Sequence, residues 1–175
     1  YAAEGRLESG RLVKVISNKE GAYALERAEN AEIPTAVVKK KGRTQQEFEA
    51  DLIKELDECG AEVIVLAGFM CILSKDFTDR YKDRIINVHP SLIPSFCGEG
   101  YYGLKVHEEA LKYGVKVTGA TVHFVNEIPD GGKIIMQKAV NVEDGDTPEI
   151  LQRRVMEQAE WIILPLAVQK ICEEL

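Results

Sequence analysis

The apolar positions of this chain fall in short runs separated by longer amphipathic stretches. Residues 12–17 form an apolar run that predicts a strand, and Thr35-Ala36-Val37-Val38 predicts another. Residues 22–31, between them, have helical composition, and residues 1–10 read as the tail of a helix and a turn. In residues 45–59, Phe48, Leu52 and Leu56 recur every four positions, the period of an amphipathic helix, and Gly60 follows as a C-terminal cap. Val63-Ile64-Val65-Leu66-Ala67 is unbroken apolar sequence; so short a continuous run fits a parallel strand covered on both faces. Gly68 ends it and lets a ligand approach the backbone. Ser74 predicts the cap of a helix over residues 75–81. Ile85-Ile86-Asn87-Val88-His89 predicts a strand that Pro90 stops, because proline cannot donate to a ladder. A helix over 104–113, a strand over 121–125 and a strand over 133–142 follow. Thr147 before Pro148 starts a long helix expected to reach Leu164, with Pro165 kinking or ending it.

Strands alternating with helices in the first half predict an α/β fold with a doubly wound, mostly parallel, Rossmann-like sheet. The strand–loop–strand–helix order of the second half predicts an antiparallel C-terminal extension. A length of 175 residues suits one domain spanning 1–175. A net charge of -7 argues against general affinity for nucleic acid or anionic membrane, and no apolar run reaches the length of a membrane span. Cys59, Cys71, Cys97 and Cys172 form no C-x-x-C pair, so a zinc site is not expected. With no secretion signal in view, the reading is free thiols in a reducing cytoplasm.

Asn87 and His89 are two apart, so an extended strand points both side chains to one face. An amide donor beside a titratable imidazole can stabilise an oxyanion and move a proton. Asp130, in Pro129-Asp130-Gly131-Gly132, is the candidate third partner: a carboxylate near His89 would favour the imidazolium and raise its pKa. Asp-Gly is also a common turn signal, and the residue pattern alone leaves both readings open. Lys39-Lys40-Lys41 with Arg43 reads as a solvated basic loop. Residues 95–103 hold three glycines in nine positions and predict a mobile loop, without the Gly-Lys-Ser/Thr ending of a phosphate loop. Cys97 within it would be a nucleophile only in an electropositive setting that the sequence does not show.

Several motifs carry a resemblance. Leu66-Ala67-Gly68-Phe69-Met70, Ile72-Leu73-Ser74 and Asn87-Val88-His89-Pro90-Ser91-Leu92-Ile93-Pro94 closely resemble those of the phosphoribosylglycinamide formyltransferases, in the folate-dependent formyltransferase family. Gly119-Ala120-Thr121-Val122-His123-Phe124-Val125, Asp130-Gly131-Gly132, Gly145-Asp146-Thr147 and Arg154-Val155 match in the same order, so the likeness runs over essentially the whole chain. The Asn, His-Pro-Ser and Asp set is shared by all 10-formyltetrahydrofolate-using relatives; the later segments favour the glycinamide enzymes.

The resemblance implies formyl transfer from 10-formyltetrahydrofolate to the amine of glycinamide ribonucleotide, a step of purine biosynthesis, without a metal. Asn87 and His89 would polarise the formyl oxygen, His89 would be the general acid, and Asp130 would hold it protonated. Met70, Cys71, Ile72 and Leu73 would line the pterin pocket largely through backbone groups, with Asn87 also touching the folate and His123 supporting the triad. Gly68 and Pro90 would flank the ribonucleotide. Glu160 aligns with a ribose-binding glutamate if the helix carries one inserted residue, and Arg43 aligns with a folate-tail contact at a shifted spacing. The resemblance also implies a cytoplasmic monomer or homodimer with no nucleic-acid or membrane partner. A formyltetrahydrofolate hydrolase and a non-catalytic folate-binding fragment are the alternatives; the acidic composition disfavours a methionyl-tRNA formyltransferase. The family starts with a strand and a Gly/Ser-rich loop that binds phosphate at a helix N-terminus. This sequence starts after that loop, and the expectation is that the natural protein has those residues ahead of Tyr1.

Overall fold

The computed structural model describes residues 7–175, and these divide between two compact units that meet in sequence at Glu62 and Val63. The expected helix tail lies partly in residues 1–6, outside the described residues.

The first unit is a strand–helix–strand crossover followed by a second helix. Strand β1 (Val15–Ser17) pairs in parallel with β2 (Thr35–Val37), and α1 (Tyr23–Asn30) connects them. Helix α2 (Gln45–Cys59) has the bounds its periodicity predicts. Thr44 starts it with a reciprocal cap: the Thr44 Oγ1 accepts from the Glu47 amide, and the Glu47 carboxylate accepts from the Thr44 amide. Gly60 ends it in the left-handed conformation. Phe48, Leu52 and Leu56, the predicted apolar stripe, are buried.

The second unit holds a four-stranded sheet in the order β3-β4-β5-β6. Strand β3 (Ile64–Leu66) runs parallel to β4 (Ile85–His89), with α3 (Lys75–Arg80) on the connection. Helix α4 (Leu104–Tyr113) leads to β5 (Val117–Phe124), which is antiparallel to both β4 and β6 (Ile134–Asn141). The parallel start and antiparallel extension follow the predicted order. Strand β5 begins four residues earlier than its apolar pattern suggests, because Thr118 and Gly119 pair with Val140 and Ala139 and are buried there. A β-carbon on Gly119 would stand 2.0 Å from the Lys138 carbonyl oxygen, so this pairing requires glycine.

Helix α5 (Pro148–Val155) starts at the predicted Thr147–Pro148 cap. It passes through a π-helical turn (Met156–Glu160) into α6 (Trp161–Glu174). Of the two expectations for Pro165, kinking or ending the helix, the second is wrong: α6 runs through it. Ile163, Ala167 and Ile171 recur every four residues and are buried in one cluster with Ile86, Val122, Leu151 and Val155. That shared burial outweighs the one helical hydrogen bond a proline forfeits.

Candidate active site

The site grows from the register of β4 and β5. Their antiparallel pairing sets Asn87 opposite His123 and His89 opposite Thr121. Side chains on directly paired positions share a face, and Asn87 Nδ2 lies 3.3 Å from His123 Nε2. Beyond Val122 the β5–β6 register slips, so that Val122 faces Met136 while His123 faces Ile134. The extra residue is Ile135, so the bulge bends β6, while the β4 pairing keeps His123 on the face of Asn87. The His123 ring is oriented by its Nδ1–H, which donates to the Phe124 carbonyl at 2.7 Å.

Asp130 reaches the same place from the β5–β6 connection. Its φ of 55° is unusual for a residue with a side chain, the kind of conformation tolerated where the surroundings fix it. Gly132 makes the loop possible: a β-carbon there would stand 1.7 Å from the Phe124 carbonyl oxygen. The Asp130 carboxylate lies between two imidazoles, with Oδ2 3.4 Å from His89 Nδ1 and Oδ1 3.4 Å from His123 Nε2. Its Oδ2 also accepts from the Gly98 amide at 2.8 Å. The other His89 nitrogen, Nε2, donates to the Phe96 carbonyl at 2.8 Å.

Burial alone would raise the Asp130 pKa. The hydrogen bonds from His123 and Gly98 and the nearby imidazoles outweigh it and hold the carboxyl below its ordinary value. For His89 the balance runs the other way. Burial is the largest effect and pushes its pKa below the ordinary value, although the Phe96 carbonyl and Asp130 both oppose it. The sequence expectation that Asp130 leaves His89 with a raised pKa is therefore corrected. The carboxylate is close enough to favour the imidazolium, but a ring that is 4% exposed loses more by desolvation. Cys97 is no better placed as a nucleophile: burial and then Asp130 push its thiol pKa up.

Beside these groups lies a cleft of about 270 Å³. Met70, Cys71, Ile72 and Leu73 line it together, with Phe69 and Leu66. Asn87, His123 and Asp130 also line it, and residues 98–102 of the glycine-rich loop border it. His89 is buried off the cleft wall. Gly68, Pro90 and Glu160 lie outside the lining, and Gly68 takes a φ of 66° with open space where a β-carbon would be. Arg43 belongs to the first unit, where it pairs with Asp51. Glu160 closes the π-helical turn, the form in which a helix absorbs one extra residue, and burial raises its pKa to about 7. Among the described residues no group of three His, Cys, Asp or Glu is placed to hold a metal ion, and no helix is long and apolar enough to cross a membrane.

Residues 2–168 match the family model described as formyl transferase. The chain belongs to the formyl transferase family. Its relatives include the trifunctional purine biosynthetic protein adenosine-3 of Gallus gallus, 46% identical over 91% of this chain but only 16% of that protein. The phosphoribosylglycinamide formyltransferase of Haemophilus influenzae is 40% identical, over 93% of this chain and 74% of its own length. Among solved structures, glycinamide ribonucleotide transformylase 1 from Symbiobacterium toebii superimposes with a TM-score of 0.88 at 37% identity, covering 99% of this chain and 81% of that one. The chain thus spans about a sixth of the trifunctional relative and about three quarters of the Haemophilus one.

Within this formyl transferase site the sequence reading missed two features. One is a hydrogen-bonded turn after Pro90. Thr121 Oγ1 donates to the Ser91 carbonyl at 2.7 Å and accepts from the Ile93 amide at 3.1 Å, and Ser91 Oγ donates to the Ser95 carbonyl. Thr121 shares a strand face with His123, two residues on, and that spacing is the signal that marks it. The other is His107 on α4, fully buried, with neither ring nitrogen hydrogen-bonded among the described residues. Burial, and secondarily His89, lower its pKa to about 4, so it is a neutral neighbour of the site. A lone histidine on an apolar helix face gives no advance sign of this.

Proposed function

We propose that this chain transfers the formyl group of 10-formyltetrahydrofolate to the amine of glycinamide ribonucleotide, in purine biosynthesis. The observation that carries this reading is the meeting of Asn87, His123 and Asp130 at the polar end of an apolar cleft, with His89 coupled to Asp130, in a formyl transferase. A flat heterocycle suits the apolar wall formed by Met70, Cys71, Ile72 and Leu73.

The amine nitrogen attacks the formyl carbon, and the carbonyl electron pair moves onto oxygen. Asn87 Nδ2–H donates to that oxygen, and preorganised donors of this kind are the largest usual source of acceleration in acyl transfer. Asp130, ionised, accepts the proton that the attacking amine must lose. As negative charge grows on the oxygen it favours the His89 imidazolium, which forms when Asp130 passes that proton to His89 Nδ1, 3.4 Å away. Its Nε2–H stays on the Phe96 carbonyl, which fixes the ring beside Asp130. Collapse then restores the carbonyl and breaks the bond to the folate nitrogen, which takes up the proton carried by the His89 imidazolium, the general acid. Gly68 and Pro90 flank the ribonucleotide on this reading, the Glu160 carboxylate accepts from ribose hydroxyls, and Arg43 meets the folate tail. The setting is cytoplasmic, the chain acts as a monomer or homodimer, and neither nucleic acid nor metal takes part.

The test follows folate release from the formyl donor with and without glycinamide ribonucleotide. Release that needs the ribonucleotide, with formyl appearing on its amine, is the expected result. Release to water alone would make the chain a hydrolase, and donor binding without release would make it a binding module.

A further inference from the structure

Gln137 is an exposed side chain on β6, a position where a glutamine amide is ordinarily solvated. Here its Nε2 donates to the Ile93 carbonyl at 3.0 Å and to Thr121 Oγ1 at 2.9 Å. Thr121 faces Gln137 across the β5–β6 ladder and His89 across the β4–β5 ladder, so one fully buried hydroxyl stands between them. That hydroxyl holds both the Ser91 carbonyl and the Ile93 amide, and Ser91 Oγ closes on the Ser95 carbonyl. The next residue, Phe96, supplies the carbonyl that His89 Nε2 bonds, and Gly98 supplies the amide that Asp130 Oδ2 accepts. The segment after Pro90 is therefore tied down at its start by Thr121 and Gln137. At its end it holds one partner of His89 and one of Asp130.

We propose that Gln137 is a positioning residue for formyl transfer: by tying Ile93 to Thr121 it fixes the turn that presents the Phe96 carbonyl to His89 and the Gly98 amide to Asp130. It does not touch the reacting atoms. The inference rests on the formyl-transfer reading for its kinetic consequence, while its structural content stands on the hydrogen bonds alone. Small displacements of reacting groups are costly, so a loosened turn lowers turnover more than it weakens binding. The Met70–Leu73 wall has no part in this chain of bonds, so donor affinity changes less than turnover.

The experiment compares the parent chain with Gln137→Ala, Gln137→Glu and Gln137→Lys. Alanine removes the donor, glutamate replaces it with an acceptor that cannot bond the Ile93 carbonyl, and lysine restores a donor. Because Gln137 is exposed, the alanine variant is expected to fold, which a thermal melt checks. In ligand-free protein, nitrogen NMR of the His89 ring should show an altered titration in the alanine and glutamate variants. Amide exchange at Phe96 to Gly98 should quicken about tenfold, the scale of one lost hydrogen bond. In the transfer assay kcat should fall about tenfold with the donor KM held within about twofold, and lysine should recover part of the loss. A lower melting temperature with unchanged His89 titration and unchanged exchange would overturn the proposal, leaving Gln137 a purely structural link. If the parent chain showed no formyl transfer while the His89 and amide signals responded, the positioning would stand and the reaction assignment would fail.

Discussion

Asp130 is held by contacts to both histidines and the Gly98 amide, and its charge is the one feature that distinguishes it from an amide of the same shape. Replacing Asp130 by Asn should therefore leave the loop nearly in place while removing the proton acceptor. Turnover is expected to fall on the order of a hundredfold, the scale of lost acid–base assistance. The His89 pKa, already lowered by burial, should drop further, because Asp130 is one of the two influences that oppose the drop. Unchanged turnover and an unchanged His89 titration would leave Asp130 a turn former. Glu160 allows a stability test with a definite sign. Its folded-state pKa of about 7 lies above the ordinary value, so the folded chain holds this proton more tightly than the unfolded chain. Near pH 4 the group is protonated in both states and contributes nothing. As pH rises towards 7 the unfolded state ionises freely and stability is lost, and above that the penalty is constant. Glu160→Gln should thus match the parent in urea unfolding at pH 4 and exceed it at pH 8 by ~2 kcal/mol. Equal stabilities at both pH values would show that Glu160 is not desolvated. At this scale the identities were legible and the energetics were not. A spacing of two on a strand revealed that Asn87 and His89 share a face. The direction of the His89 pKa depends on how deeply the ring is buried, which no local pattern encodes.

At the scale of elements, the loop that carries Asp130 is fixed by backbone packing, and Gly132 is where that packing is tightest. Its missing β-carbon would meet the carbonyl that accepts from His123 Nδ1. Gly132→Ala must therefore move either the Asp130 loop or the end of β5, and both carry site residues. Turnover should fall at least about tenfold, with altered ring signals from His123. Alanine accommodated with neither effect would mean that the loop has room to spare. Elements whose ends are set by capping chemistry were readable from sequence, as α2 between Thr44 and Gly60 shows. Helix α5 likewise begins where Thr147 and Pro148 say it should, and Arg154 on it forms a paired hydrogen bond with Asp146 in the preceding turn. Elements decided by distant packing were not readable. The π-helical turn Met156–Glu160 has ordinary helical composition, and α6 continues past Pro165 because its far half is buried. The bulge at Ile135 on β6 leaves no mark on the apolar pattern, since it arises from the pairing with β5.

For the molecule as a whole, charge sets a condition on its proposed substrates. The chain carries -7 at neutral pH, and Glu99, Glu127 and Asp130 all border the cleft. A phosphorylated ribonucleotide and a carboxylated folate are both anions, so the summed field opposes their approach. In the first unit the basic run after β2 is itself partly paired, Lys39 with Glu20 and Arg43 with Asp51. At an ionic strength of about 0.01 M the screening length is about 30 Å, and the full charge acts on an incoming anion. At about 0.15 M it is about 8 Å, and only groups near the cleft are felt. If repulsion governs encounter, kcat/KM for the anionic substrates should rise severalfold between these conditions while kcat stays level, because screening changes approach and not the chemistry of the bound complex. Stopped-flow binding of the folate across a salt series would assign the effect to the on-rate. A steep fall in kcat/KM with salt would show the opposite: local cations steering the anions inward against the net charge.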